Sequence, residues 1–406
     1  MTVTERPLAD IDPMVVAKSI GGVLNDEAPE ARRTGVLTSK AVQTLIDSRI
    51  ILMLAPREYG GQELSIPAYM ATLAELTRLD GPSGWVTMTT SAHAGLLGAF
   101  LPQEGADELF AGDDYPRLPG MSAAVGRADR VEGGYIVTGK WQFASGSTIA
   151  TGFIGGAAVF VDGEAQMHGG APQSILAYLP RDQVTEKGNW SVDGLEPTQS
   201  IDYEVTELFV PEKFTILTNP APAKILRGAA GLAIGMADMA YSVHGAEVMG
   251  FTQRLLDEIA TLAPKRGRAP GQSVADNPLF KHEFAARALE ATSVRNEYFR
   301  LLEEHEAYVA ERGGPVAWEM TQRLAAHVAY MHEVGMRCAD LAFSWAGSAA
   351  FRDNSAIGRF YRDINVARQH AFADRNNIAQ VADALMKSYS SALTADLAAA
   401  SSTDQG

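Results

Sequence analysis

The chain has one cysteine, Cys338, in 406 residues. A disulfide framework needs pairs of sulfurs and a thiolate zinc cage needs several, so neither forms within this chain. Cys338 sits in the apolar helical run WEMTQRLAAHVAYMHEVGMRCADLAF and reads as a core residue. Positive charge is also scarce. With 34 Lys and Arg against 49 Asp and Glu, the net charge is −15. Such a surface repels a nucleic-acid backbone, so an anionic ligand must be held by a local cationic pocket. No run reaches the roughly 18 uninterrupted apolar residues of a membrane span. The opening MTVTERPLAD has no basic segment leading into an apolar one, and the expected location is the cytoplasm. GxGxxG and GxSxG loops, metal-ligand spacing and internal repeats are missing too.

What is present is an apolar fraction of 46%, enough for one large core or two to three packed domains. Residues 1–118 read as helices separated by turns. Ser65-Ile66-Pro67 opens the amphipathic stretch MATLAELTRL, Asp80-Gly81-Pro82 ends it, and Ser83 is placed to cap a helix running through Trp85 and His93. From Pro119 the character changes. GGYIVTGKWQF, FIGGAAVFV, SILAYLP and YEVTELFVP are short alternating or β-branched runs punctuated by turns, giving a central β domain over 119–218. Residues 219–400 carry four long segments with apolar residues at helical spacing, a four-helix bundle, and 401–406 form a flexible polar tail. The Arg266–Gly271 loop between the first two of these segments is the densest cationic patch.

Four strings then line up in order. PREYGG from Pro56, GGYIVTGKWQFASG from Gly133, YEVTELFVPE from Tyr203 and RFYRDINVARQH from Arg359 together resemble the acyl-CoA dehydrogenase superfamily. The resemblance implies a mainly α fold with a central β domain: N-terminal helices, a small β barrel or sandwich, and a C-terminal four-helix bundle. One departure bears on the reaction. Many dehydrogenases of that superfamily carry a catalytic glutamate about eight residues after the aspartate matched by Asp363; this chain offers no carboxylate there, and His370 stands in its place. The Phe143-Ala144-Ser145-Gly146-Ser147 turn is similar to that of the group D two-component flavin monooxygenases, such as the oxygenase component of 4-hydroxyphenylacetate hydroxylase.

That resemblance implies an enzyme using reduced flavin (FADH2 or FMNH2) and O2 through a C4a-hydroperoxyflavin to hydroxylate a small aromatic, phenolic or polycyclic, substrate. It implies a separate NAD(P)H-dependent flavin reductase as partner, and a homotetramer. Ser145 is the expected hydroxyl at flavin N5, accepting or donating there. His370 is the expected base for a phenol, since imidazole titrates near neutrality; on a helix begun near Ser355, Asp363, Ala367 and His370 fall at i, i+4 and i+7 and share a face. His93, among small neighbours, is a substrate-side candidate. Trp141 and Phe143 would wall the isoalloxazine, with Gly146, Thr198 and Ser200 facing it. Arg266 and Arg268, with the Trp345, Gly347 and Ser348 turn, match segments that approach the cofactor phosphate from a neighbouring subunit.

Plainer readings stand beside these. His370 can be a helix-end histidine on the last carbonyls, His93 a packed helix residue, Ser145 a turn former, Trp141 core, and the arginines a solvated loop. Asp363 reads as orienting Arg359 or an adjoining helix, and His332 as an ordinary helix residue. Alternative activities on the same scaffold are oxygenation of nitrogen or sulfur, an acyl-CoA dehydrogenase with a relocated base, and a flavin-free binding protein. FMN and FAD are not distinguished.

Overall fold

The computed structural model describes residues 11–403 apart from 113, 223, 268–270 and 353. Helices come first: α1 Pro13–Thr34, α2 Ser39–Asp47, α3 Ile66–Leu79, α4 Gly81–Phe100 and α5 Gln103–Leu109. Strands follow: β1 Gly120–Val131, β2 Gly134–Ala144, β3 Gly152–Val161, β4 Glu164–Ala165, β5 Met167–His168, β6 Ala171–Pro172, β7 Ser174–Pro180, β8 Thr185–Glu186, β9 Ile201–Pro211 and β10 Thr215–Asn219. The chain then returns to helix with α6 Met236–Leu262, α7 Pro278–Arg312, α8 Trp318–Ala346, α9 Ala356–Ala367, α10 Asn376–Gln380 and α11 Ala382–Thr403. Arg268 lies outside the described residues. Among the described residues no helix is long and apolar enough to cross a membrane.

The hinge between α3 and α4 is made by one carboxylate. Asp80, rather than the expected Ser83, caps α4: its Oδ2 accepts from the Ser83 backbone N–H at 3.0 Å and from the Ser83 hydroxyl at 2.5 Å. An extended residue at the cap position can turn its oxygen onto the open N–H groups, whereas Ser83 already lies inside the first turn. Pro82 fits the start of the new helix because it has no N–H to leave unpaired. Nearly all of α4 is buried, as expected of a helix that is apolar all round. Its glycines let neighbours approach: a Cβ at Gly95 would press on Leu54 and one at Gly98 on Pro56.

The main sheet runs β10-β7-β3-β1-β2-β9-β8, antiparallel except for β1 beside β3. Side chains along β2 alternate, with Val137, Gly139 and Trp141 buried and Thr138, Lys140 and Gln142 exposed, the period a sheet with one covered face demands. Trp141, Phe153 and Tyr203 make a second core within this sheet, while Ile154, Leu176 and Ile216 join the helical core. The helical core itself is built on α6, which packs on α3 and α8. Cys338 is fully buried there.

Candidate active site

The alternation of β2 breaks at its end, and the break creates the site. Phe143 has a φ of 65°, and the register with β9 slips between Trp141 and Ala144. This bulge leaves Phe143 half exposed and re-aims Ser145 inward, where it is buried. Gly146 follows at a φ of 93°, and a Cβ there would stand 3.0 Å from Val86 on α4. Glycine is needed at this position for both reasons.

A second irregular segment, residues 195–200, faces the first. Leu195 and Gln199 both hold positive φ, a conformation that costs such residues roughly 1–3 kcal/mol each. Neighbouring contacts hold it in place: Leu195 N–H donates to Asp363 Oδ1 at 2.7 Å, and Gln199 Nε2 donates to the Gly35 carbonyl at 2.6 Å. The two segments are tied by the Gly146 N–H on the Thr198 carbonyl at 2.8 Å.

Between them runs a chain of hydroxyls. The Trp85 indole N–H donates to Ser145 Oγ at 3.1 Å, Ser145 Oγ lies 2.6 Å from Ser200 Oγ, and Ser200 Oγ lies 2.7 Å from Thr198 Oγ1. Thr198 in turn donates to the Leu195 carbonyl at 2.8 Å. Thr89, one turn beyond Trp85, donates to the Ser145 carbonyl at 2.8 Å. Ser145, Gly146, Thr198 and Ser200, singled out from the sequence, are thus brought together, and Trp85 and Thr89 join them from α4.

Trp85 also faces a cluster of imidazoles. Its ring meets His244 of α6 edge-on at 5.3 Å, and His244 lies 4.1 Å from His370, centroid to centroid. Phe372 and Tyr241 close the group. His332 of α8, read from the sequence as an ordinary helix residue, is buried in electrostatic contact with both. Among the described residues its two ring nitrogens and Nδ1 of His244 have no hydrogen-bond partner. Burial drives His370 down to about 4 and His332 to about 3, and holds His244 well below the ordinary histidine range. The cluster is uncharged at neutral pH. Among the described residues no group of three or more His, Cys, Asp or Glu is placed to hold a metal.

The shared helical face expected for Asp363, Ala367 and His370 does not extend to the histidine. α9 ends at Ala367, and His370 caps the next short turn, its Nδ1 accepting the Phe372 N–H at 3.4 Å. A ring nitrogen offered to that N–H starts a new turn instead of continuing the old helix. With Nδ1 accepting, the hydrogen of the neutral ring is on Nε2, so His370 presents a donor. Asp363 turns to the 195–200 segment, while Arg359 donates to the Asn354 carbonyl at 3.3 Å and lies in the field of Asp363 and Asp80.

The remaining candidates are placed as follows. His93 is buried on α4 and its Nδ1 is 2.8 Å from the Leu118 carbonyl; burial lowers it to about 4. Trp85, Thr89 and His93 are spaced four apart along α4 and share one side of it. Trp141 lies wholly inside the sheet core, stacked on Tyr203 with its indole N–H on the Gly156 carbonyl at 2.8 Å. A Cβ at Gly126, Gly139 or Gly155 would collide with its ring, so this indole packs in a glycine-lined slot rather than walling a ligand. Phe143 sits edge-on to Trp190 at 6.3 Å.

Arg266 forms a separate group with the end of α8. Its guanidinium donates to Ser348 Oγ at 3.3 Å, and Nη2 lies 3.1 Å from where a Gly347 Cβ would be. Trp345 donates to Glu283 at 2.7 Å and meets Phe280 edge-on. A cavity of about 190 Å³ between α6, α7 and α8, lined by Val248, Leu256, Phe284 and Met331 among others, contains none of the candidate residues.

Comparison with known proteins bears on this arrangement. Residues 242–375 match the family model of the acyl-CoA dehydrogenase C-terminal domain. A pigment production hydroxylase of a Rhodococcus species is 28% identical, covering 82% of this chain and 86% of the relative. The flavin-dependent monooxygenase oxygenase subunit HsaA of Mycobacterium tuberculosis is 25% identical over 88% of this chain and 92% of its own. The crystal structure of HsaA from M. tuberculosis superposes with a TM-score of 0.82 at 22% identity, covering 93% of this chain and 97% of that one. XiaF from Streptomyces, solved with FADH2 and glycerol, gives 0.79 at 21% identity, covering 90% and 92%. The fold is that of the acyl-CoA dehydrogenases, as the four sequence strings imply, and the relatives aligned over most of the chain include a flavin-dependent monooxygenase oxygenase subunit.

Proposed function

We propose, from the premise that this chain is an acyl-CoA-dehydrogenase-fold homologue of flavin-dependent monooxygenase oxygenase subunits, that it hydroxylates a small, uncharged, planar aromatic bearing a hydroxyl. The observation that carries the substrate reading is the Trp85 link: its N–H reaches Ser145 while its ring meets the uncharged His244–His370 pair. The buried hydroxyls, the positive-φ turns and the glycine at 146 suit a flat polar ring laid against Ser145, Gly146, Thr198 and Ser200. Reduced flavin supplies, when bound there, the electrons that activate O2 for transfer of one oxygen atom.

The chain's own residues do the positioning. Ser145 offers its hydroxyl at flavin N5. His370 Nε2–H donates to the substrate oxygen, His244 keeps the adjoining wall polar but neutral, and His93 adds a neutral imidazole on the Trp85 side of α4. Buried Trp85 and the Phe372 and Tyr241 rings exclude water, which protects a reactive oxygen donor from wasteful breakdown. Arg266, Gly347 and Ser348, with Arg268 and Trp345, serve the flavin phosphate of a neighbouring subunit, which requires at least a second copy of the chain and is in keeping with a homotetramer. A separate NAD(P)H-dependent reductase supplies the reduced flavin in the cytoplasm. An imidazole held at about 4 is a poor acceptor for an ammonium proton, which favours an aromatic over an amine substrate.

Mixing the anaerobic protein with reduced FMN or FAD and then with oxygen tests the reading. A transient absorbance differing from both reduced and oxidised flavin, and decaying faster with the right phenol, is expected. Reoxidation at the protein-free rate rules the reading out.

A further inference from the structure

The hydroxyl chain behind Ser145 ends on a carbonyl. Thr198 Oγ1 lies 2.8 Å from the Leu195 oxygen, an atom that only accepts and that also takes the Thr198 N–H at 3.1 Å and the Trp190 indole N–H at 3.2 Å. Either member of the Thr198–Ser200 and Ser200–Ser145 pairs has the geometry to donate; with the Thr198 hydrogen on the carbonyl, Thr198 Oγ1 accepts from Ser200 and Ser200 from Ser145. In that arrangement Ser145 has no hydrogen to offer. One of its lone pairs takes the Trp85 N–H, and one remains. At the far end, Asp363 Oδ1 takes the Leu195 N–H at 2.7 Å and so holds in place the residue whose carbonyl ends the chain.

We infer that Ser200 and Thr198 are positioning residues that fix Ser145 as a hydrogen-bond acceptor, and that this orientation selects the reduced over the oxidised flavin. The inference rests on the reading that places Ser145 at flavin N5. Reduced flavin carries a hydrogen on N5, which an acceptor satisfies. The oxidised ring presents a lone pair there, which faces the lone pair of Ser145 and leaves both unsatisfied. The selection is made by the second and third hydroxyls of the chain, neither of which needs to touch the flavin.

The test is equilibrium binding, not turnover. Dissociation constants for reduced FMN and FAD under anaerobic conditions, and for the oxidised forms, are measured on the full-length parent and on Ser200→Ala, Thr198→Val, Thr198→Ser and Ser145→Ala, each confirmed folded by its thermal unfolding. The parent is expected to favour reduced flavin. In Ser200→Ala the Ser145 hydrogen is released and can turn to N5; in Thr198→Val the chain loses its fixed end, and Ser200 can donate backwards. Each should shrink the reduced-to-oxidised preference by about tenfold, the factor that one exchanged hydrogen bond of roughly 1.4 kcal/mol represents. Thr198→Ser, which keeps the hydroxyl, should retain the parent ratio. An unchanged ratio in both Ser200→Ala and Thr198→Val, with Ser145→Ala altered, overturns the inference while leaving Ser145 at the flavin. An unchanged ratio in Ser145→Ala, or no binding of reduced flavin by the parent, removes the underlying reading instead.

Discussion

The Ser145 cluster and the Arg266 cluster were both expected to serve one cofactor, yet they are built by opposite means. Around Ser145 every hydroxyl has a partner, the side chains are buried, and the two positive-φ residues of the 195–200 segment are held by Asp363 of α9 and by Gly35 just after α1. Around Arg266 a long side chain reaches across an exposed turn by one 3.3 Å bond to Ser348. Atoms that must meet a reacting ring within tenths of an ångström need the first kind of support, whereas a phosphate can be held by a flexible cation. The first cluster is assembled from buried groups of one chain, whereas Arg266 and Ser348 of the second lie at the surface.

Four substitutions would break or sharpen that contrast. His370→Ala removes the Nε2–H from the prearranged side, and hydroxylation should fall roughly 10²-fold with peroxide release rising to match; product and peroxide counted per flavin oxidised measure this. A loss below threefold would remove His370 from the chemistry. Trp85→Phe keeps the ring but takes the donor from Ser145, and should destabilise the fold by about 1 kcal/mol while lowering coupling of oxidation to product; chemical denaturation and product yield report the two parts.

The third change concerns pH. His332, ordinarily near 6.5, is held to about 3 by burial, so the unfolded chain binds a proton that the folded one refuses. Its contribution is therefore intact above pH 6.5 and is lost as pH falls from there toward 3, at up to roughly 1.4 kcal/mol per unit. His93 and His370, held to about 4, act in the same direction. Asp363, raised to about 7, acts in the opposite one, its contribution fading as pH rises from 3.8 toward 7. Removal of the titrating group in His332→Phe should flatten the acid limb of a stability profile; an unaltered limb would show that His332 is not neutral and buried. The smallest structural effect is expected at Arg266→Ala: stability within about 0.5 kcal/mol of the parent, and flavin affinity weaker by about tenfold, seen by titration. If affinity held, the phosphate would be bound elsewhere.

Much of this was legible in the chain itself. Turn signals and alternation placed the β region, the four strings placed the fold, and the FASGS turn and the missing glutamate pointed to Ser145 and His370. His244 was not singled out and His332 was set aside, since a histidine in a helical run carries no mark of what packs against it. A cue did exist for His244, whose neighbour Gly245 signals close helix packing: a Cβ there would strike Tyr298. For Trp141 the sequence left ring wall and core packing undivided for a related reason. The glycines that form its slot come from three different strands, so local sequence shows an aromatic near a turn but not the cavity that swallows it.

By itself the sequence determined the order of helical and β segments, the strand alternation and the caps at Ser65 and Ser355, because each depends on neighbours a few residues away. Tertiary structure alone decided that Trp85, Ser145, Ser200, His244 and His370 meet, that His370 leaves the helix and shows a donor, and that the imidazoles are uncharged. Those properties arise from distance and desolvation between segments far apart in the chain, and local periodicity does not encode them.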